Sequence, residues 1–386
     1  MRSARTLGAV LAALAVTGAA QEGVTQQGRI FKGTLGDAPI TACFDPSGSS
    51  PGVYYRDAAL EPVRLELRDA ATPLVLTEAS GIEDATGAQW MMASATGETM
   101  TGVWRKGTAV LPIRLTAVPA DLPDYGSACE ARQFVEPLLA GGTTTRRDES
   151  LEGMVYTRIA YDGPARAGLE DYHIVTFALR AEQAGDAAIN ARLAAALPDG
   201  SANHDMGLCA TPSLANAGMP GYIDETRLPM LITPRWLAVR HGGSSYCGGA
   251  HPNNFGNLVV YDRHSGAEVD ASAWFKPGAL KFYDWEPEPG NPRLIEALSD
   301  ALTQAVMTRW PEGARDPECM EAARSGMGWD IGLTREGPVF EPEFPHVLFA
   351  CTEEVTLPWE AARPFLSAKG RAVMKGLRQA PPASAR

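Results

Sequence analysis

The stretch "SSYCGGAHPNNFGNLVVYDRHSGAEVD", Ser244 to Asp270, decides how the second half of the chain is read. Cys247, Gly248, Gly249, Ala250 and His251 stand in immediate succession. The apolar run "NLVVYDR" then reads as a strand, and "SGAEVD" as the turn that leaves it. Such crowding suits either a catalytic or metal site or a tight turn between two strands. The turn accounts for the composition directly. Glycines supply backbone conformations closed to other residues, Pro252 stiffens the exit, and a histidine can hydrogen-bond across a loop. Loops of fixed geometry also carry binding surfaces. Tyr246, Gly248, Gly249, Ala250, His251, Pro252 and Asn253 are therefore the candidate recognition surface.

The chemical alternatives are weaker. Zinc needs three or four convergent ligands, and His241, His251 and His264 fall at no compact ligand spacing, so no metal and no cofactor are expected. Cys247 with His251 could form a thiolate and imidazole pair. The carboxylates of "DWEPEPG", Asp284, Glu286 and Glu288, sit between prolines and read as a solvated turn, and Glu353 and Glu354 of "CTEEVTLPW" read the same way. No nucleophile elbow, P-loop or dinucleotide fingerprint occurs. No catalytic residue is assigned.

The chain has 386 residues and a formal net charge of −12. That length suits two or three domains, and the acidic balance excludes a phosphate-seeking basic surface, so no nucleic-acid partner is expected. Arg2 and Arg5 precede an apolar run from Leu7 to Val16, then Gly18 and Ala20. This is the layout of a signal peptide over 1–20, cleaved after Ala20, and the run is shorter than the roughly 20 residues a spanning helix needs. A periplasmic or secreted protein with no membrane span after cleavage is the expectation. In that oxidising setting the six cysteines read as disulfides. Sequential neighbours are the favoured pairing, Cys43–Cys129, Cys209–Cys247 and Cys319–Cys351, because each bridge then closes one segment or domain. A bridged Cys247 is preferred to a nucleophilic one.

Residues 21–118 form eight short β-rich runs, "RIFKGTL", "APITACF", "GVYYR", "PVRLELR", "PLVLTE", "AQWMMASA", "MTGVWRK" and "AVLPIRLTAV", at intervals of roughly ten residues. They predict an all-β meander, a small barrel or sandwich. Val63, Leu65 and Leu67 alternate with Arg64, Glu66 and Arg68, as a half-buried strand requires. Residues 119–148, rich in Pro, Gly and Thr, read as a linker. From 149 to 376 an α+β domain is expected, a mostly antiparallel sheet with helices packed on it. "GMVYTRIAYDG" and "EDYHIVTFALR" are an antiparallel pair. Ile189, Leu193 and Leu197 share a helical face, and Leu294, Leu298, Leu302 and Val306 predict one long helix over "PRLIEALSDALTQAVMTRW". "HVLFACTEEVTLPW" reads as a strand, and 377–386 as a disordered tail.

The order of pieces from about 150 to 375 resembles the extracytoplasmic domain of the RsiV-type anti-sigma factors, a domain of unknown function that also precedes a secreted peptidoglycan deacetylase. Ile189 and Asn190, "YCGGAHPN", "YDRHSGAEVD", the closing pattern from Trp329, and "CTEEVTLPW" with "PFL" carry the resemblance. It implies a fold and an envelope setting; in the anti-sigma factor the domain recognises lysozyme. It transfers no catalytic residue. The expected function is thus an exported, non-catalytic envelope protein binding a lysozyme-like protein or a peptidoglycan fragment. The alternative is an envelope hydrolase.

Overall fold

The computed structural model describes residues 28–45, 51–69, 74–80, 84–95, 98–124, 126–166, 168–217, 221–284, 293–325 and 328–379. The expected signal segment 1–20, Glu286 and Glu288 of the acidic turn, and residues 380–386 lie outside them.

The first eight strands are β1 (Arg29–Leu35), β2 (Ala38–Phe44), β3 (Gly52–Arg56), β4 (Val63–Asp69), β5 (Leu74–Ser80), β6 (Asp84–Ala95), β7 (Thr99–Lys106) and β8 (Ala109–Val118). All neighbours are antiparallel, and β1 pairs with β8 to close a barrel. The period of two sorts the side chains. Phe31, Ala42 and Tyr54 are cross-strand neighbours in the barrel core with Leu65, Trp90 and Leu115. Ile30, Cys43, Val53 and Tyr55, on the alternate positions, are also buried, but against the rest of the chain. The alternation expected through Leu67 stops at Leu65. A register shift lies between Leu67 and Asp69, and Leu67 is 52% exposed.

One buried carboxylate ties this barrel together. Glu78 Oε1 accepts hydrogen bonds from Tyr54 Oη at 2.6 Å, Trp90 Nε1 at 2.9 Å and Trp104 Nε1 at 2.7 Å, and its Oε2 accepts from Thr86 at 3.2 Å. Four neutral donors from three strands, β3, β6 and β7, take the place of the water the carboxylate lost.

The stretch expected as a linker is structured. A 3-10 turn, Ala128–Glu130, leads into α1 (Arg132–Leu139), whose Phe134, Val135, Leu138 and Leu139 are buried. Pro137 inside the helix and the glycines just after it masked the period. The Tyr55 hydroxyl donates to the Phe134 carbonyl at 3.1 Å, and the Cys43–Cys129 bridge fixes the turn to β2.

The seven-stranded sheet runs β15-β14-β13-β12-β11-β10-β9: β9 (Thr143–Leu151), β10 (Met154–Asp162), β11 (Tyr172–Leu179), β12 (Tyr222–Ile232), β13 (Trp236–Tyr246), β14 (Asn253–Asp262) and β15 (Ala267–Glu268). Every pairing is antiparallel except β11 with β12. That crossover carries α2 (Asp186–Ala194) and α3 (Asp205–Ala215). Ile189 and Leu193 of α2 are buried against Phe177, Leu237 and Val239.

A second, five-stranded antiparallel sheet comprises β16 (Leu280–Phe282), β17 (Ile295–Leu298), β18 (Trp329–Leu333), β19 (Pro338–Pro342) and β20 (Val355–Thr356). It packs against β13 and β14 over a core of Trp236, Ala238, Val260, Trp329, Ile331 and Phe340. The single long helix expected from Pro292 to Trp310 is instead β17 followed by α4 (Asp300–Met307). Ser299, with extended backbone, breaks the run at the N-cap position. α5 (Pro317–Arg324), α6 (Trp359–Ala362) and α7 (Ala368–Gln379) complete the chain. His346–Cys351, expected as strand, is a 3-10 helix. α7 carries order past the expected boundary at 376, because Leu377 is buried in the same core as Trp274.

Candidate functional site

β13 and β14 form a hairpin whose connection is Cys247 to Pro252, an exposed loop. Gly248 has φ +91°, a left-handed conformation that favours glycine, whereas Gly249 is not in that region. Tyr246, half-buried, closes β13, and Gly249, Ala250, Pro252 and Asn253 face solvent. The loop is held at both ends. Cys247 is bridged to Cys209 of α3. On the other side, the His251 ring stacks on His346 with centroids 4.5 Å apart and planes 9° from parallel. Asn254 Nδ2 donates to His346 Nδ1 at 3.2 Å, and His251 Nδ1 donates to the Pro252 carbonyl at 2.9 Å.

The three histidines weighed as metal ligands do not converge. His264 is in the exposed turn after β14. His241 sits within the sheet, its Nδ1 2.9 Å from Asn257 Oδ1 and its Nε2 3.0 Å from Glu225 Oε1. Arg227 approaches the same Glu225 oxygen at 2.8 Å. Burial alone would raise the Glu225 carboxyl, but the His241 hydrogen bond and the Arg227 charge hold it below the ordinary glutamate range. Among the described residues no group of three His, Cys, Asp or Glu side chains is arranged to hold a metal ion.

Below the loop, a polar seam runs between the two sheets. Strand register puts Asp330 beside Glu341, and the Leu258 amide of β14 donates to Asp330 Oδ2 at 3.4 Å. Glu341 is 4% exposed, and its Oε2 has no hydrogen-bond partner among the described residues. A side-chain carbon on Gly256 would stand 3.0 Å from Glu341 Oε1, so the glycine is what lets this carboxyl lie against β14. Arg240 of β13 pairs with Glu354 at 2.7 Å. Burial pushes the carboxyls of Asp330, Glu341 and Glu343 upward, Glu341 to about 7. The neighbouring carboxyls of Glu343 and Glu341 raise Asp330 further. The sequence reading passed over these acids. The available signal was their phase: Asp330 stands between the buried Trp329 and Ile331, and Glu341 within a run of buried strand positions.

Three residues of the quoted pieces outside the loop, Arg263, Asn190 and Gly266, hold the fold together. Arg263 of "YDRHSG" forms a buried bidentate pair with Asp186 and also donates to the Thr233 carbonyl at 2.6 Å. Asn190 of "IN" bonds both the amide and the carbonyl of Leu179. Gly185 lies so close to Gly266 that a side-chain carbon would come within 2.1 Å of its amide nitrogen.

No protein-family model and no curated protein sequence matches the chain. Solved structures do. One is a DUF3298 family protein from Pseudomonas aeruginosa PAO1, 11% identical, with a TM-score of 0.35, covering 60% of this chain and 96% of its own. Another is a member of the DUF3298 family from Bacteroides fragilis NCTC 9343, 12% identical, with a TM-score of 0.36, covering 62% and 97%.

Proposed function

We propose that the chain is an exported, non-catalytic binding module of the cell envelope. Its RsiV-like part, 149–376, takes a lysozyme-like protein through the loop Tyr246–Asn253. The observation that carries this reading is the exposed loop fixed at one end by the Cys209–Cys247 bridge and at the other by the His251–His346 stack. A loop ordered before contact loses little conformational entropy on binding. The net charge of −12 favours encounter with a cationic protein. The three disulfides suit an oxidising compartment, periplasmic or secreted, after cleavage of 1–20. No helix among the described residues is long and apolar enough to cross a membrane.

Calorimetric titration of the disulfide-intact protein with lysozyme, and separately with muropeptides, tests the proposal. Saturable binding to lysozyme that is weakened at least about tenfold by His251→Ala is expected. No binding to either titrant at micromolar concentration would overturn it, and turnover of muropeptides would favour an envelope hydrolase instead.

A further inference from the structure

The seam below the loop has an arrangement that structural packing alone does not require. Asp330 on β18, Glu341 on β19 and Glu343 just beyond it converge at the junction with β14, and Glu354 stands beside them ahead of β20. The facing charged and titratable groups are few. β13 contributes Arg240, already paired with Glu354, and the 3-10 helix after β19 contributes His346. β14 offers only the Leu258 amide, the Gly256 backbone and the Asn254 side chain. Glu268, Asp270 and Arg293 line, together with Asp330 itself, a small cavity of about 60 Å³.

The cluster therefore holds four carboxyls with one arginine, Arg240, paired among them, while the cavity beside Asp330 adds Arg293 against Glu268 and Asp270. Glu341, buried and with Oε2 unpartnered, has only the Arg240 charge, already shared with Glu354, to offset a second negative charge. A buried carboxylate without a donor is costly, whereas a protonated one is not.

We propose that this cluster is a proton-operated latch: with Asp330 and Glu341 protonated the seam is closed, and loss of those protons to solvent parts β18–β20 from β13–β14. Because His346 is carried by the segment between β19 and β20, an opened latch withdraws the ring on which His251 stacks. The latch rests on the seam alone and holds whatever the loop binds. The upward shift of Glu341 to about 7, caused first by burial and then by the charges of Glu354 and Glu343 against that of Arg240, puts the transition near neutrality.

Amide hydrogen exchange on the disulfide-intact chain, corrected for intrinsic rates and compared at about pH 6 and about pH 9, is the test. Protection of 253–262, 329–333 and 338–342 is expected to fall at least about tenfold at the higher pH, while protection of the barrel strands is unchanged. In Asp330→Asn with Glu341→Gln the seam protection is expected to stay level. Equal seam protection in the wild type at both pH values would overturn the latch. So would a fall of the same size in barrel and seam, or a double variant that keeps the wild-type response. The wild-type comparison stands even if the double variant does not fold.

Discussion

Arg263 and Asp186 meet in a bidentate pair, Nε to Oδ1 at 2.8 Å and Nη2 to Oδ2 at 2.7 Å, with side chains 1% and 0% exposed. The Glu182 and Gln183 amides also donate to Asp186, so each oxygen is occupied and the carboxyl is held below the usual aspartate range despite its burial. The pair fastens the start of α2 to the end of β14.

Removing one partner leaves an uncompensated buried charge. Arg263→Leu is expected to cost about 3 to 5 kcal/mol in urea unfolding at neutral pH. Asp186→Asn combined with Arg263→Met should cost less than the sum of the two single changes, since the charge left behind by each is absent in the double variant. Additive losses would mean that the two side chains act independently.

In the barrel, Glu78→Ala strands Tyr54, Trp90 and Trp104 without their shared acceptor. The expected loss is about 3 kcal/mol or more, with a change in tryptophan fluorescence. Glu78→Gln keeps one acceptor oxygen and should lose less. Thermal melts of both variants measure the difference.

Two of the contributions to the pH dependence of stability are opposed and separable by mutation. Glu341 is raised from 4.5 to about 7, so its share of stability is complete below about pH 4.5 and is lost as pH rises through about 7. The loss is roughly 3 kcal/mol if the shift is fully expressed. Glu225 is lowered by His241 and Arg227, so its share is present above about pH 4.5 and is lost as pH falls below that. Denaturation at a series of pH values should therefore show Glu341→Gln flattening the neutral side and Glu225→Gln flattening the acid side.

The loop gives a conformational test. Gly248→Ala forces a side chain into φ +91° and should cost about 1 kcal/mol. Cys209→Ser with Cys247→Ser opens a bridge spanning 38 residues, for a chain-entropy loss of about 4 kcal/mol. Calorimetry with lysozyme should show the bridge variant binding more weakly than Gly248→Ala, as the preorganised loop predicts.

The barrel strands were legible as short β-rich runs between turn residues, although β1–β3, buried on both faces, carry no alternation of their own. What misled was coincidence of period. Leu294 and Leu298 keep a helical spacing with Leu302 and Val306, yet they lie before Ser299, on extended chain, and Leu294 is 42% exposed. α1 was hidden by Pro137, and α3 by its small residues, which bury a helix without advertising a stripe. The loop could be located from its glycines and cysteine. The stack on His346 could not, because 95 positions separate the two rings in the chain and no local pattern joins them. The seam acids were missed for the same reason: their meaning depends on β14 lying against β18.

The Cys43–Cys129 bridge and α1 give the barrel a second attachment to the rest of the molecule. Residues 43 to 129 form a covalent ring that begins in β2 and ends in the 3-10 turn just ahead of α1, which packs into the neighbouring core. A protease that cut one exposed turn of β3–β8 would therefore release nothing, since both new ends stay on one molecule until the bridge is reduced. Damage of that kind would register as a change in electrophoretic mobility after reduction, and not before.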